Sequence, residues 1–280
     1  MQNTVKEPSS NPMKISVITC TYNNVNTVER ALLSVLNQNH KDVDYVVIDG
    51  GSTDGTLDIL NRYSSQFQTF ISEPDEGLYD ALNKGIRHAK GEYIGFLHSD
   101  DFFITNEVVS KIEQFILSSS KRPAGVSGEM VYFAKEGSRL RIHRRYSTAN
   151  FKPWQFRFGV MPGHTASFIQ KSVYEKYGLY RTDFRIAADF DLLVKLIAVE
   201  KLAWSYSGEV WIAMGMGGIS TANMQSNFLL SREIEKLLKE KNIWTHPILL
   251  YSKYIFKFSR KLYYNLRKKY LLDWTSAFAK

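Results

Sequence analysis

Short apolar runs alternate with segments of helical periodicity through the first hundred residues. The apolar runs predict buried strands at 14–18, 45–48, 70–71 and 92–97. The helically spaced segments predict helices at 27–38, 56–65, 78–89 and, after the last of these strands, 105–119. This alternation is typical of an α/β fold in which helices cover both faces of a mostly parallel sheet.

A different pattern begins near residue 120. Short strands are predicted at 124–133 and 139–146, as a pair, and at 166–169. Helices are predicted at 171–177 and from Ala187 to about Glu200, with another strand near 204–206. The chain contains no internal repeat and no low-complexity segment, and its length fits one large domain or one domain with an appendage.

Polar residues directly follow three of the predicted strands. These segments are Thr19–Asn24, Asp49–Gly55 and His98–Asp101. In an open α/β sheet the carboxyl ends of the strands form the edge where ligands bind. The adjacent carboxylates of Asp100 and Asp101 would be unfavourable at the end of a buried strand without a cation. The sequence therefore predicts a site for Mg²⁺ or Mn²⁺, which prefer oxygen ligands and often share them with phosphates.

Composition and motifs exclude several other classes of protein. The chain has 44% hydrophobic and 23% charged residues, which is ordinary for a globular protein. It lacks the glycine-rich loops of dinucleotide and P-loop enzymes, the G-x-S-x-G elbow and the H-E-x-x-H zinc motif. Its one cysteine, Cys20, allows no intramolecular disulfide and fits a reducing compartment. We expect residues 1–13 to be a disordered lead-in without a secretory signal, and no apolar run predicts a membrane span.

Positive charge is concentrated at the carboxyl terminus. The net charge is +8, and residues 246–280 contain eight Lys and Arg against one Asp. A helix over 251–270 would have an aromatic and aliphatic face opposite a basic one, which favours contact with an anionic lipid surface. The same pattern also fits a helix docked on the protein or on a second subunit. Nucleic acid is disfavoured as a partner because no recognised binding module is present.

Five segments in a fixed order carry a resemblance to a known family. They are residues 16–23 (SVITCTYN), 47–56 (VIDGGSTDGT), 72–85 (SEPDEGLYDALNKG), 91–101 (GEYIGFLHSDD) and 184–193 (FRIAADFDLL). Together they resemble the family 2 glycosyltransferases of the GT-A fold, in particular bacterial enzymes of surface-polysaccharide assembly. The resemblance spans about residues 14–220 and implies the Rossmann-like GT-A fold and the transfer of a sugar from a nucleotide sugar.

The resemblance also implies roles for individual residues. The nucleotide would be bound by Cys20, Tyr22, Asp49, Asp75, Asn83, Gly85 and Asp100. Tyr22 would pack near the base and Asp49 would accept a hydrogen bond from it, while Asp100 and Asp101 would hold the metal ion and the diphosphate. Asp189 matches the family's catalytic base. Further candidates for contacts with the donor sugar or the acceptor are His98, His164, Trp154 and Asp191.

Several of these candidates also have a plain structural interpretation. His164 fits a partly buried, hydrogen-bonded histidine equally well, and Trp154 fits a hydrophobic loop packed on the domain. Asp191 lies two residues after Asp189 and so on a different face of the helix, where a structural role is favoured. Asp54 is expected to form a turn and a helix cap.

The expected reaction is a single displacement that inverts the anomeric carbon. The acceptor hydroxyl must lose its proton as it attacks from the side opposite the leaving diphosphate, so a second carboxylate is needed there. Asp189 is far from Asp100 in sequence and begins a predicted helix, whose dipole favours an ionised carboxylate. We expect a hexose or N-acetylhexosamine to pass from a UDP-sugar to a glycan or a polyprenyl-linked saccharide.

Two departures from the family pattern keep a second interpretation open. The family more often has Asp or Asn where His98 stands, and often Pro where Cys20 stands. His98 therefore leaves open a non-catalytic nucleotide-sugar-binding or scaffold subunit of a polysaccharide-assembly complex. A sugar-phosphate nucleotidyltransferase is disfavoured because the loop after the first strand is not glycine-rich and basic.

The expected domain organisation follows from these assignments. A GT-A domain is predicted over 14–240, with a nucleotide-binding half at 14–104 and an acceptor and catalytic half at 105–240. A basic amphipathic extension is predicted over 241–280. The expected location is the cytoplasm, with peripheral contact through 246–280 on the inner face of the cell membrane.

Overall fold

A computed structural model describes residues 12–136, 139–215 and 224–252 of the chain. The basic helix predicted at 251–270 and most of the predicted lead-in lie outside these residues. Within the described ranges, no helix combines the length and the apolar character that crossing a lipid bilayer requires.

The strands of the described chain follow the predicted order closely. They are β1 (Ile15–Thr21), β2 (Val43–Asp49), β3 (Thr69–Ser72), β4 (Tyr93–Phe96), β5 (Phe102–Phe103), β6 (Gly125–Glu136), β7 (Arg139–Tyr146), β8 (Ser167–Gln170) and β9 (Trp204–Gly215). Sequence analysis missed β5, which has only two residues, and gave only the beginning of β9.

Most helices also match their predictions, with ends displaced by a few residues, but the helix Met224–Glu240 was not predicted from the sequence. The helices are α1 (Val28–Leu36), α2 (Thr56–Tyr63), α3 (Leu78–His88), α4 (Val108–Ser118), α5 (Lys171–Tyr177), α6 (Ala188–Leu193) and α7 (Met224–Glu240). α6 continues without a break into a π-helical segment at Val194–Val199. A 3₁₀ segment, Pro153–Phe158, lies between β7 and β8.

All of these strands belong to one sheet in the order β3-β2-β1-β4-β8-β6-β9-β5, with β7 paired to β6. The first four strands of this order, β3, β2, β1 and β4, are each parallel to their neighbours among the four. β8 is antiparallel to both β4 and β6, β9 is parallel to β6, and β5 and β7 are antiparallel to their partners. The α/β fold is therefore confirmed, and β1–β4 pair with one another only in parallel, whereas the pairings that involve β5–β9 are mixed.

Both faces of the parallel strands are buried, which explains their continuous apolar sequences. Ile18, Ile48 and Phe96 face a core that α3, α5, α6 and α7 cover. Alternate residues such as Val17 and Val47 face a second core, covered by α1, α2 and α4. The polar residues that follow these strands are thus held at one edge of a sheet that is packed on both sides.

Packing extends past both predicted boundaries of the domain. Met13 is 5% exposed, and its backbone N–H donates to Glu113 Oε1 at 2.5 Å. The disordered lead-in predicted at 1–13 was therefore wrong at this residue. At the other end, Leu250 is 1% exposed in the core, so the start of the predicted extension packs with the domain.

Candidate active site

The loop after β1 is bound to the turn after β2. The backbone N–H groups of residues 23–25 donate to the side chains of Ser52, Thr56 and Asp54 at 2.8 to 3.0 Å. Asp54 also accepts the N–H of Thr56 at 2.9 Å, which is the turn role that its residue type predicts, whereas Gly55 and not Asp54 occupies the cap position of α2. These hydrogen bonds fix the backbone at the carboxyl ends of both strands.

Asp49 is fully buried at the end of β2. Its Oδ2 accepts the N–H groups of Gly51 and Ser52 and the hydroxyl of Ser72, and its Oδ1 accepts the hydroxyl of Ser52 at 2.5 Å. Four donors of the protein therefore hold this carboxylate, and it stabilises the turn. A contact between Asp49 and a nucleotide base stays a prediction.

Asp75, in the loop between β3 and α3, lies beside Gly50 and Tyr22. A Cβ atom at position 50 would lie 2.5 Å from Asp75 Oδ2 and 3.4 Å from Tyr22 Cδ2, so only glycine leaves room for this carboxylate. Asp75 Oδ1 accepts the N–H of Gly77 at 2.9 Å, while no donor of the described residues is bonded to Oδ2. Tyr22 is 59% exposed. An exposed aromatic ring and an available acceptor are thus adjacent.

Three predicted nucleotide-binding residues lie inside the core rather than on the surface of this edge. Cys20 is 5% exposed, and burial raises the pKa of its thiol. The side-chain amide of Asn83 donates to the carbonyl of Tyr180 at 2.8 Å and accepts its N–H at 2.9 Å. A Cβ atom at Gly85 would lie 2.4 Å from Ile18, so glycine allows α3 to approach β1 closely. These residues position the site from within.

The two acidic residues after β4 differ in exposure. Asp100 is partly exposed, and its backbone carbonyl accepts a hydrogen bond from Arg30 at 2.9 Å. Asp101 is 1% exposed, and its Oδ1 accepts the N–H of Gly215 at 3.1 Å. Burial, aided by the charge of Asp100, raises the pKa of Asp101 well above its usual range. Asp101 therefore joins the loop to β9, and Asp100 is the accessible member of the pair.

A divalent cation fits this loop only if other groups complete its coordination. Within the described residues, no group of three or more His, Cys, Asp or Glu side chains is arranged to hold a metal ion. Mg²⁺ commonly takes one or two carboxylates together with substrate phosphates and water. Asp100 fits this shared mode, and the buried Oδ2 of Asp101, which has no hydrogen-bond partner, is a second oxygen in the same loop.

His98 and His164 lie next to each other, with ring centroids 5.8 Å apart. His164 stacks on Phe96 at 5.1 Å, and its Nδ1 is 3.4 Å from the hydroxyl of Tyr180. Burial, with the neighbouring charge of His98, lowers the pKa of His164 to about 3. Burial also lowers the pKa of His98, although Asp100 opposes this effect. The imidazole of His164 is therefore neutral at pH 7, and its buried Nε2 has no partner in the described chain.

Asp189 lies at the start of α6, as the sequence predicts, and it is partly exposed. Its Oδ1 accepts the N–H of Phe190 at 2.7 Å and the hydroxyl of Tyr79 at 3.3 Å. Burial raises the pKa of Asp189 to about 6, and the hydrogen bonds limit that rise. A carboxylate that gains its charge just below neutral pH is suited to general base catalysis.

The remaining candidates, Asp191 and Trp154, have different surroundings. Asp191 is 5% exposed and forms an ion pair with Lys241 at 2.7 Å, which supports a structural role, and its contact with a sugar stays a prediction. Trp154 is 58% exposed and meets the ring of Phe158 edge-on at 5.7 Å. An exposed indole is not packed on the domain, and its role as an acceptor contact stays a prediction.

Sequence analysis missed two tyrosines that connect the site. The hydroxyl of Tyr79, on α3, donates to the carbonyl of Ile186 at 2.5 Å, just before Asp189. Tyr180 bonds Asn83 through its backbone and reaches His164 through its hydroxyl. Tyr79 belongs to a matching segment and could have been identified there, whereas Tyr180 follows no motif that marks it.

Comparisons with known proteins agree with this geometry. The family model described as glycosyl transferase family 2 matches residues 16–178. An uncharacterized glycosyltransferase of Mycobacterium tuberculosis is 35% identical over 188 residues, which cover 66% of this chain and 69% of the relative.

Solved structures show the same fold. S. aureus TarS 1–349 in complex with UDP-GlcNAc aligns with a TM-score of 0.61 and 19% identity over 81% of this chain. This chain spans 66% of that TarS chain, just under two thirds. The mannosyltransferase PcManGT from Pyrobaculum calidifontis, in complex with GDP-Man and Mn²⁺, aligns with a TM-score of 0.61 and 17% identity, over 96% of this chain and 79% of its own. The shared architecture is the GT-A fold.

Proposed function

This chain belongs to the family 2 glycosyltransferases, and we propose that it transfers a hexose or N-acetylhexosamine from a nucleotide sugar, with inversion, to a hydroxyl of a glycan or lipid-linked saccharide. One observation carries the proposal. Asp189, whose pKa is raised to about 6, is hydrogen-bonded to Tyr79 of α3, the helix that follows the Asp75 loop. A carboxylate whose pKa lies near neutral is thus in direct contact with the half of the domain that would bind the nucleotide.

We assign recognition of the base to Tyr22 and Asp75. The exposed ring of Tyr22 offers a stacking surface, and the unbonded Oδ2 of Asp75 offers an acceptor beside it. An acceptor selects bases with ring N–H donors, such as uracil at N3 and guanine at N1. Asp49 would then support the turn instead of meeting the base. A UDP-sugar is the proposed donor, and a GDP-sugar meets the same hydrogen-bond requirement.

Asp100 is assigned to the diphosphate end of the donor. It is the accessible carboxylate of the loop after β4, and it would hold Mg²⁺ or Mn²⁺ together with the diphosphate. Such an ion, when bound, stabilises negative charge on a leaving phosphate. His98, in this loop, and its neighbour His164 are assigned to contacts with the sugar.

Asp189 is assigned as the general base. The acceptor oxygen forms a new bond to the anomeric carbon, and the bond from that carbon to the diphosphate oxygen breaks. The electron pair of the broken bond leaves with the nucleoside diphosphate, and the hydroxyl proton passes to Asp189. Because one displacement occurs without a covalent intermediate, the configuration at the anomeric carbon is inverted.

The test combines binding with turnover on the full chain. UDP and GDP are titrated calorimetrically with and without Mn²⁺, and UDP-sugars are then assayed for metal-dependent release of UDP. We expect binding that weakens in Asp75→Asn and is unchanged in Asp58→Asn, which changes an exposed acidic residue of α2.

Two results would contradict this proposal. Failure of both nucleotides to bind would remove the donor site. Binding without turnover of any donor, in the presence of Mn²⁺, would favour the scaffold interpretation that His98 leaves open. Contact with a membrane through 246–280 and a lipid-linked acceptor stay predictions, since most of that segment lies outside the described residues.

A further inference from the structure

A carboxylate on α7 binds the segment that leads into Asp189. Glu233 accepts three backbone N–H groups: Arg185 on Oε1, and Ile186 and Ala187 on Oε2, each at 2.9 Å. Glu233 lies 44 positions after Asp189 in the chain, on the last long helix that the structure describes. No motif in the sequence marks this glutamate.

The same segment is bound from the opposite side by α3. The hydroxyl of Tyr79 donates to the carbonyl of Ile186 at 2.5 Å and reaches Asp189 Oδ1 at 3.3 Å. Ile186 is therefore held through its N–H by Glu233 and through its carbonyl by Tyr79. Because both bonds restrain one peptide segment, they fix the direction in which α6 begins and hence the place of the Asp189 carboxylate.

We propose that Glu233 is a positioning residue for Asp189. It holds Asp189 in place through the backbone of residues 185–187, and its negative charge disfavours the ionised form of the Asp189 carboxyl group. This inference rests on the proposed role of Asp189 as general base. It adds a residue from the last described helix to a site otherwise built from the sheet edge and α3.

The charges around Asp189 support the second part of this inference. The groups that face its carboxylate are the Tyr79 hydroxyl from α3, Tyr180 from the loop after α5, the Phe190 N–H from α6 and Glu233 from α7. Glu233 is the negatively charged member of this set, and it raises the pKa of Asp189 in addition to burial. The nearby cation Lys241 is instead paired with Asp191.

A simpler role must be separated from this one, because Glu233 could serve only to stabilise the fold. Loss of a purely structural contact would lower the melting temperature and the amount of folded enzyme without moving the pH at which activity appears. Loss of a positioning and charged neighbour would change kcat and its pH dependence at unchanged donor affinity. The pH profile of kcat is therefore the deciding measurement.

The experiment compares Glu233→Gln, Glu233→Ala and Glu235→Gln in the full chain. Glu235 is an exposed residue of the same helix and provides the matched control. Glu233→Gln removes the charge but keeps one acceptor, so we expect the acidic limb of the kcat profile to move to lower pH. Glu233→Ala also frees the segment, and we expect kcat to fall about tenfold or more with KM for the donor unchanged. Calorimetric titration of UDP checks that each variant is folded.

Results of two kinds would overturn the inference. If Glu233→Gln leaves the acidic limb where it is in the wild type, or if Glu233→Ala loses stability but keeps kcat, Glu233 is structural only. Asp189→Asn is measured in parallel. If Asp189→Asn remains active, the general base itself is wrongly assigned and the role of Glu233 fails with it. If Asp189→Asn is inactive while Glu233→Gln keeps the wild-type profile, only the role of Glu233 fails.

Discussion

The turn after β2 and the loops on the catalytic side differ in whether their buried polar atoms have hydrogen-bond partners in the protein. In the turn, protein donors hold both oxygens of Asp49. On the catalytic side, Asp101 Oδ2, His164 Nε2 and Thr165 Oγ1 are buried without a hydrogen-bond partner in the described chain. Buried polar groups are nearly always paired, so unpaired ones call for an explanation. In the first region, which we call the platform and which consists of the loops after β1, β2 and β3, the protein itself supplies the donors for Asp49. In the second region we expect a bound ligand to supply the missing partners.

The largest expected effect is on the catalytic rate alone. Asp189→Asn should lower kcat by about 100-fold to 10,000-fold, the usual contribution of a general base, while nucleotide affinity stays the same. In the wild type, kcat should fall as the pH drops through about 6, because Asp189 becomes protonated there. Steady-state rates from pH 4.5 to 8.5 measure both effects, which would be contradicted by an active Asp189→Asn enzyme.

The next largest effect is on nucleotide affinity at the platform. Asp75→Asn should weaken nucleotide binding by about tenfold to 100-fold, since a hydrogen bond to a charged acceptor contributes about 1.5–3 kcal/mol. Gly50→Ala should have a similar effect, because its Cβ would lie 2.5 Å from Asp75 Oδ2 and displace that carboxylate. Calorimetric titration of UDP measures the affinity. Wild-type affinity in both variants would exclude Asp75 from the base site.

A smaller effect separates Asp49 from Asp75. Asp49→Asn should reduce the free energy of unfolding by about 1–3 kcal/mol, because an amide nitrogen cannot accept the N–H groups of Gly51 and Ser52. Asp75→Asn should leave stability nearly unchanged, since Asp75 Oδ2 has no donor to lose. Urea unfolding of the two variants makes the comparison. Equal stability for both would mean that the buried carboxylate is not the support of the turn.

The smallest effect concerns the stability of the catalytic side. The pKa of Asp189 is higher in the folded chain than the usual value of 3.8, so ionisation opposes folding as the pH rises through about 6. Asp189→Asn should therefore be more stable than the wild type by about 1–2 kcal/mol at pH 8 and by much less at pH 4. Thermal unfolding at the two pH values measures this difference, and a gain that is equal at both would contradict it.

The structure of the platform could be predicted from the sequence more fully than that of the catalytic side. The strand and helix pattern, the caps and the strand ends are local properties of short segments, so β1–β4 and α1–α3 were predicted within a few residues. Local pattern could not show that Asp49 faces inward and Asp75 outward, because this depends on which donors surround each carboxylate. The contacts of Tyr180 and Glu233 join segments far apart in the chain, and no local spacing encodes them.

The hydrogen bonds between Glu233 of α7 and the segment before α6 also bear on when the site can form during synthesis of the chain. Strands β1–β4 leave the ribosome long before Met224–Glu240, but a domain generally folds as a unit. Because α7 also covers the core that Ile18 and Ile48 face, that face of the sheet lacks its full cover, and the segment before Asp189 lacks its anchor on Glu233, until α7 has been made. We expect catalytic competence to be the last property that a newly made molecule acquires, when its final described helix docks.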